Sequence, residues 1–216
     1  MPSKSELVDM IKESLLSDND LSFLEELNED GIRNLEKEIS EYKKRIEEQQ
    51  KPIFKTMAVT TKFLPNFMVA KLGQDMLTPY IAAQVTQFLE PKDSAALGRS
   101  FAANFLGEVT LYVEPELTSK IARHMRINEV VKIIHAMISK GLFIKLGELS
   151  DALDTKLVTE LVPQLNSASD IARIMHNMQS IEKIQAVGQR LNSSLFSDVV
   201  EELKSLNNTT ALGALE

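Results

Sequence analysis

From Leu72 onward this chain repeats itself, and that repetition constrains its fold more than any other feature. Leu106-Gly107-Glu108-Val109 lies forty residues before Leu146-Gly147-Glu148-Leu149. The same offset pairs Val113 with Leu153, Leu117 with Leu157, Ile121 with Leu161 and Met125 with Leu165. One extra residue then enters the later copy. At an offset of 41, Val130 matches Ile171, Lys132 matches Arg173, Ile133 matches Ile174, His135 matches His176 and Met137 matches Met178. An earlier copy sits 36 residues upstream, where Pro79, Ile81, Val85, Leu89 and Leu97 answer to Pro115, Leu117, Ile121, Met125 and Ile133. A partial last copy sits 38 residues downstream, where Leu153, Leu157, Leu161 and Leu165 answer to Leu191, Leu195, Val199 and Leu203.

A period of 36–41 residues with Leu and Ile at helical spacing fits two helices and two turns. A hairpin of that kind has two apolar stripes and buries both only by stacking on its neighbours. The first helix of each unit opens at Thr78-Pro79, Glu114-Pro115 and Asp154-Thr155. Proline is tolerated there because that N–H has no intrahelical partner. The second opens after the polar turns at Glu90-Pro91, Arg126-Ile127 and Asn166-Ser167. The Leu-Gly pairs are expected near the hairpin ends, where glycine frees the chain to turn. Residues 191–206 are expected to cap the last repeat.

The N-terminal part differs in kind. Residues 5–16 read as an amphipathic helix with Leu7, Met10, Ile11 and Leu15 on one face, broken by Ser17-Asp18-Asn19-Asp20 before a further turn at Leu21–Leu27. Ile32, Leu35, Ile39, Tyr42, Ile46, Gln49 and Ile53 are then spaced 3, 4, 3, 4, 3, 4, the a/d seam of three heptads. Such a helix serves either as a dimerisation arm or as a strut packed on its own chain, and Pro52 ends or kinks it. Residues 53–73 carry Lys55, Lys62 and Lys71, no acid, and Phe54, Phe63 and Phe67. That segment suits either an anionic lipid surface or a core with solvated lysines.

The sequence therefore predicts an all-α chain: tandem helical hairpins of about 36–41 residues stacked as a short superhelix, with an N-terminal heptad helix. Its expected parts are acidic helices over 1–52 with the heptad segment at 32–53, a repeat domain over 53–206, and a flexible tail over 207–216.

Composition narrows function by exclusion. Net charge is −7, with 14 acids and 8 bases in residues 1–51 (−6) against 17 and 16 in the remainder (−1). No basic face is available to displace phosphate counterions, so nucleic acid is not an expected partner. There is no cysteine, hence no disulfide, thiolate nucleophile or thiolate metal site, which fits a reducing, cytoplasmic setting. The start lacks the apolar core of a signal peptide, and no apolar run reaches membrane-spanning length.

No Gly-x-Ser-x-Gly elbow, phosphate-cradling loop or dinucleotide fingerprint occurs. His124, His135 and His176 are the only histidines, and the last two share a repeat position, which argues for a structural role. Asp18, Asp20, Ser22, Glu26 and Glu29 fall at calcium-loop spacing, but Phe23 stands where that loop needs glycine. The acid pairs Glu114 with Glu116 and Glu201 with Glu202 are expected on exposed faces, and Met125, Met137, Met175 and Met178 in the core. Arg99, Arg123 and Arg173 either line one face toward an acidic partner or are solvated.

Two stretches carry a family resemblance. Val113-Glu114-Pro115-Glu116-Leu117-Thr118-Ser119-Lys120-Ile121-Ala122 and Leu153-Asp154-Thr155-Lys156-Leu157-Val158-Thr159-Glu160-Leu161 resemble the intracellular N-terminal superhelix of MgtE-type magnesium transporters. The helical modules of the flagellar motor switch protein FliG are similar. The likeness covers about residues 76–206. It implies a helical superhelix and, by extension, a magnesium-responsive regulatory role. The transmembrane part of those transporters has no counterpart here, and no residue answers to their metal-sensing acids.

The reading that follows is a non-enzymatic protein-interaction module with a protein partner, possible self-pairing through the heptads, and no catalytic, cofactor-binding or metal-binding residues. An ion-responsive regulator and a peripheral membrane protein using residues 53–73 are the alternatives.

Overall fold

A computed structural model describes residues 4–15, 20–61, 63–64, 68–69, 71 and 77–215. Among them the chain forms thirteen α-helices, two short 3-10 turns and no strand. It divides into two compact units, Met1–Ile53 and Phe54–Glu216.

The first unit holds α1 (Lys4–Leu15), a 3-10 turn (Ser22–Glu26) and the start of α2 (Glu29–Thr61). Asp20 caps the turn, its carboxylate accepting the Ser22 N–H at 2.9 Å, and Asn28 caps α2 by accepting the Gly31 N–H at 2.7 Å. The Ser22 bonds hold the Asp20 carboxyl below its ordinary range. Glu29 and Asp30 open α2 at the positive end of its dipole. Leu7, Val8 and Ile11 of α1 pack with Leu24 and Ile32, flanked by Leu21, Leu35 and Ile39. The early heptads are thus covered by the chain's own α1. Tyr42 and Ile53, later on the same seam, are 59% and 61% exposed. Leu15 is exposed too, so it does not share the buried face of α1. The side chain of Met10 and all of Asp18 lie outside the described residues. Pro52 was expected to end or kink the heptad helix. It does not end the helix: α2 runs through Pro52 to Thr61, with one N–H forfeited there.

The second unit begins on α2, where Phe54 and Ala58 pack against Val85 and Leu89. Eleven helices follow: α3 (Pro79–Thr86), α4 (Pro91–Gly98), α5 (Ala103–Val109), α6 (Pro115–Ala122), α7 (Ile127–Ser139), α8 (Phe143–Ala152), α9 (Thr155–Leu161), α10 (Ala168–His176), α11 (Ile181–Gly188), α12 (Ser193–Ser205) and α13 (Thr209–Leu215). Pro79, Pro91 and Pro115 sit in first turns. Thr78, Ser167 and Asn192 cap α3, α10 and α12 through their side chains.

The sequence repeat holds three helices, not two. Its copies are α3–α5, α6–α8 and α9–α11, with α12 and α13 as the partial fourth. The third helix is only seven to ten residues long, too short for its spacing to stand out from the turn that ends a hairpin. Every helix from α3 to α11 packs against the one two places further on. With three helices per repeat and contacts two helices apart, each repeat interlocks with the next across its own boundary.

The Leu-Gly pairs were expected to turn the chain, yet Gly107 and Gly147 lie inside α5 and α8. They serve close approach. A Cβ on Gly147 would sit 2.5 Å from the Asn177 carbonyl oxygen, and one on Gly107 would sit 3.2 Å from Met137. Gly188, at the same repeat position in α11, faces Leu215 in the same way. In each case the neighbour belongs to the helix two places on, or to its C-cap. Leu72-Gly73 lies outside the described residues.

One apolar core runs from Ala122 to Ala214, including Met137, Leu161, Met175, Ile184, Val199 and Leu203. The tail expected over 207–216 is instead helix α13 from Thr209, with Ala211 and Ala214 buried. Its alanines are small enough to pack closely on α11 and α12.

Candidate functional site

Short helices with one apolar stripe each leave gaps where their ends diverge. In the second unit those gaps join into a partly enclosed cavity of about 170 Å³. Its lining comes from every helix from α3 to α11, beginning with Thr86 and Ser94 and ending with Val187. Between these lie Val109, Ile121, Ile134, Met137, Leu149, Val158 and Met175, so the wall is almost wholly apolar. Protein interiors tolerate few voids larger than a water molecule.

Five hydroxyls interrupt the apolar wall: Thr86, Ser94, Thr110, Thr118 and Ser150. Four donate to carbonyls of their own helices: Thr86 to Ala82, Thr110 to Gly107, Thr118 to Glu114 and Ser150 to Leu146. That local back-bonding removes their need for any other partner. Ser94 differs. It is buried, and its Oγ has no hydrogen-bond partner. Ser119 Oγ shares that condition but does not line the cavity.

Charged groups stay on the outside, tying one helix to another. Arg99 donates to the His124 carbonyl at 2.8 Å and pairs with Glu129. Arg123 pairs with Asp154 at 2.6 Å, and Lys140 with Glu108. The Asp151 carboxylate accepts the Gln179 and Ser180 N–H groups, binding the end of α8 to the start of α11. Glu129 accepts the Arg126 N–H at 2.9 Å, which with Arg99 holds its carboxyl below the ordinary range.

The residues singled out in the sequence are scattered over this frame. Arg99 and Arg123 hold neighbouring helices of their own chain, and Arg173 lies 5.2 Å from the centre of the Phe143 ring. His124, His135 and His176 are exposed, and His176 meets Asn208 through its ring at 3.0 Å. Met137, Met175 and Met178 are buried, and Met125 is packed against the same core. Glu114, Glu116 and Glu201 are exposed, whereas Glu202, expected on an exposed face, is half-buried. Among the described residues no three His, Asp or Glu side chains converge so as to hold a metal ion. No described helix is long and apolar enough to cross a membrane. Sequence reading missed the cavity and Ser94, because a serine four residues into a helix reads as surface. The faint signal was the set of hydroxyls and glycines spaced among otherwise apolar helical faces.

No protein-family model matches the chain, and neither the curated proteins nor the solved structures yield a match.

Proposed function

We propose that this chain is a non-enzymatic protein-interaction module whose heptad helix pairs with a second copy of itself. One observation supports this above the others: the seam is half used. Ile32 is fully buried under α1, whereas Tyr42 and Ile53, on the same a/d stripe, face solvent. Exposed apolar residues at a and d positions, here Tyr42 and Ile53 with half-buried Ile46 and polar Gln49 between them, are what a coiled-coil partner covers. In a parallel pair, Glu38 at a g position faces Lys43 of the other copy at an e position, a favourable charge match. Both the seam and the internal cavity are apolar, which suits binding rather than bond-making.

Sedimentation velocity on the full chain tests the pairing. A concentration-dependent dimer, lost in a Tyr42→Glu, Ile53→Glu double variant of unchanged helicity, is the expected result. A wild-type chain that stays monomeric at its highest soluble concentration would refute it.

A second reading has its own observation. Val59, Phe63 and Met68 are exposed apolar side chains, Phe63 at 81%, and the exposed Lys55 and Lys71 lie in the same stretch. Apolar side chains among lysines suit the surface of an anionic bilayer. Co-sedimentation with phosphatidylserine-containing vesicles, weakened by salt and by Phe63→Ser, is the outcome this reading requires. Residues 62, 65–67, 70 and 72–73 of that segment lie outside the described residues.

A further inference from the structure

We propose that the two copies pair in parallel and without stagger, as two strands over Tyr42, Ile46, Gln49 and Ile53, with Gln49 choosing the orientation and α1 fixing the register. The inference rests on the self-pairing reading and deepens it: it states how the second copy must lie. Three observations carry it.

The first is Gln49. Ile32, Ile39, Ile46 and Ile53 hold a positions, and Leu35, Tyr42 and Gln49 hold d positions. Gln49 is thus an exposed amide in the stretch that a second copy would cover. A parallel pair in register sets it opposite Gln49 of the other copy. An amide both donates and accepts, so the two can bond to each other inside the seam. The antiparallel register that covers the same stretch sets Tyr42 opposite Ile53 and Gln49 opposite Ile46. Each amide then faces an apolar side chain, and burying a polar group without a bond is costly. One polar residue on a seam specifies register in this way, at a cost in affinity.

The second is α1. It packs over Ile32, with Leu35 and Ile39 drawn into the same cluster. A parallel pair that slipped by one heptad would have to set Ile46 of one copy against Ile39 of the other, a side chain already engaged. The uncovered stretch begins at Tyr42 in each copy, and only the unslipped register uses all of it. The third is charge. The parallel register brings Glu38 beside Lys43 of the other copy, whereas the antiparallel one sets Lys43 opposite Gln50 and Arg45 opposite Pro52, with no opposite charges. Isoleucine at a but not at d favours two strands over three or four.

The chain has no cysteine, so introduced thiols report alone. Full-length Tyr42→Cys and isotope-labelled Ile53→Cys, both at exposed positions, are mixed equally in a glutathione redox buffer, where the wild type sediments as a dimer. Disulfides between copies of the same variant should exceed mixed ones roughly tenfold, as counted by mass spectrometry. A predominance of mixed links would overturn the parallel orientation and leave self-pairing standing. A second mixture, Ile46→Cys with Ile53→Cys, forms mixed links only if one copy slips by a heptad. Few are expected, and their predominance would overturn the register. Adding Gln49→Leu to the first mixture should tighten the dimer and raise the mixed share. An unchanged preference there would overturn the role of Gln49. A wild type that never dimerises would remove the self-pairing reading, and this inference with it.

Discussion

At Gly147 a methyl group would meet the Asn177 carbonyl oxygen at 2.5 Å, and the obstacle is backbone, so it does not swing aside. Gly147→Ala should therefore cost about 1–3 kcal/mol through forced separation of α8 from the C-cap of α10, seen as a lowered thermal midpoint. Gly213 lies in α13, and a Cβ there would have no neighbour within 4 Å. The same substitution at Gly213 should stabilise by about 0.5–1 kcal/mol, because alanine loses less backbone freedom in a helix. Opposite signs at two helical glycines would show that contact, not propensity, fixes the repeat glycine. Glu129 offers a test by pH. Its pKa is lowered first by the Arg126 N–H, with help from Arg99, so the stability it lends is present above the unfolded carboxylate value. That stability is lost as pH falls through the lower folded value. Glu129→Gln should thus melt below wild type near neutral pH, and the two midpoints should converge in acid.

Helix α2 shows how one periodic stripe can hold two different surfaces. Ile32 is sealed by α1 and the 3-10 turn, so Ile32→Ala should destabilise the first unit by about 2–5 kcal/mol. Tyr42 touches no such core of its own chain, and at concentrations where the chain is monomeric Tyr42→Ala should change folding stability by no more than about 0.5 kcal/mol. Denaturant titration of the two variants separates the halves of the seam. The spacing of seven residues in the sequence could not do so, since a heptad names the face to be buried and not what buries it. Helix α13 carries the converse lesson. Asn207-Asn208-Thr209-Thr210 reads as the start of a frayed end, yet Asn208 accepts the Ala211 N–H at 2.8 Å and its amide reaches His176. A cap and two buried alanines are enough to order seven residues that composition assigned to a tail.

Across the second unit, contacts two helices apart link every repeat to the next, and one apolar core runs from α6 to α13. Substitutions far apart in that core should act on a single transition. Val158→Ala and Leu203→Ala should both lower the same urea midpoint, with circular dichroism and methionine methyl signals moving together. Separate transitions for the two probes would show that the repeats unfold independently, as nearest-neighbour stacking alone would permit.

The all-α class, the starts of the first and second helix in each repeat, and the helical repeat itself were all legible in the sequence. They rest on local signals: leucine spacing, proline at first turns, polar caps. The sequence also marked Gly107 and Gly147 as special through their position in the repeat. Tertiary structure decided what those glycines do, how many helices a repeat holds, and which half of the heptad seam is covered. It alone revealed the cavity and the unpartnered Ser94. The reason is physical: periodicity reports which side of a helix avoids water, whereas close approach, leftover volume and an unpaired hydroxyl exist only between helices distant in sequence.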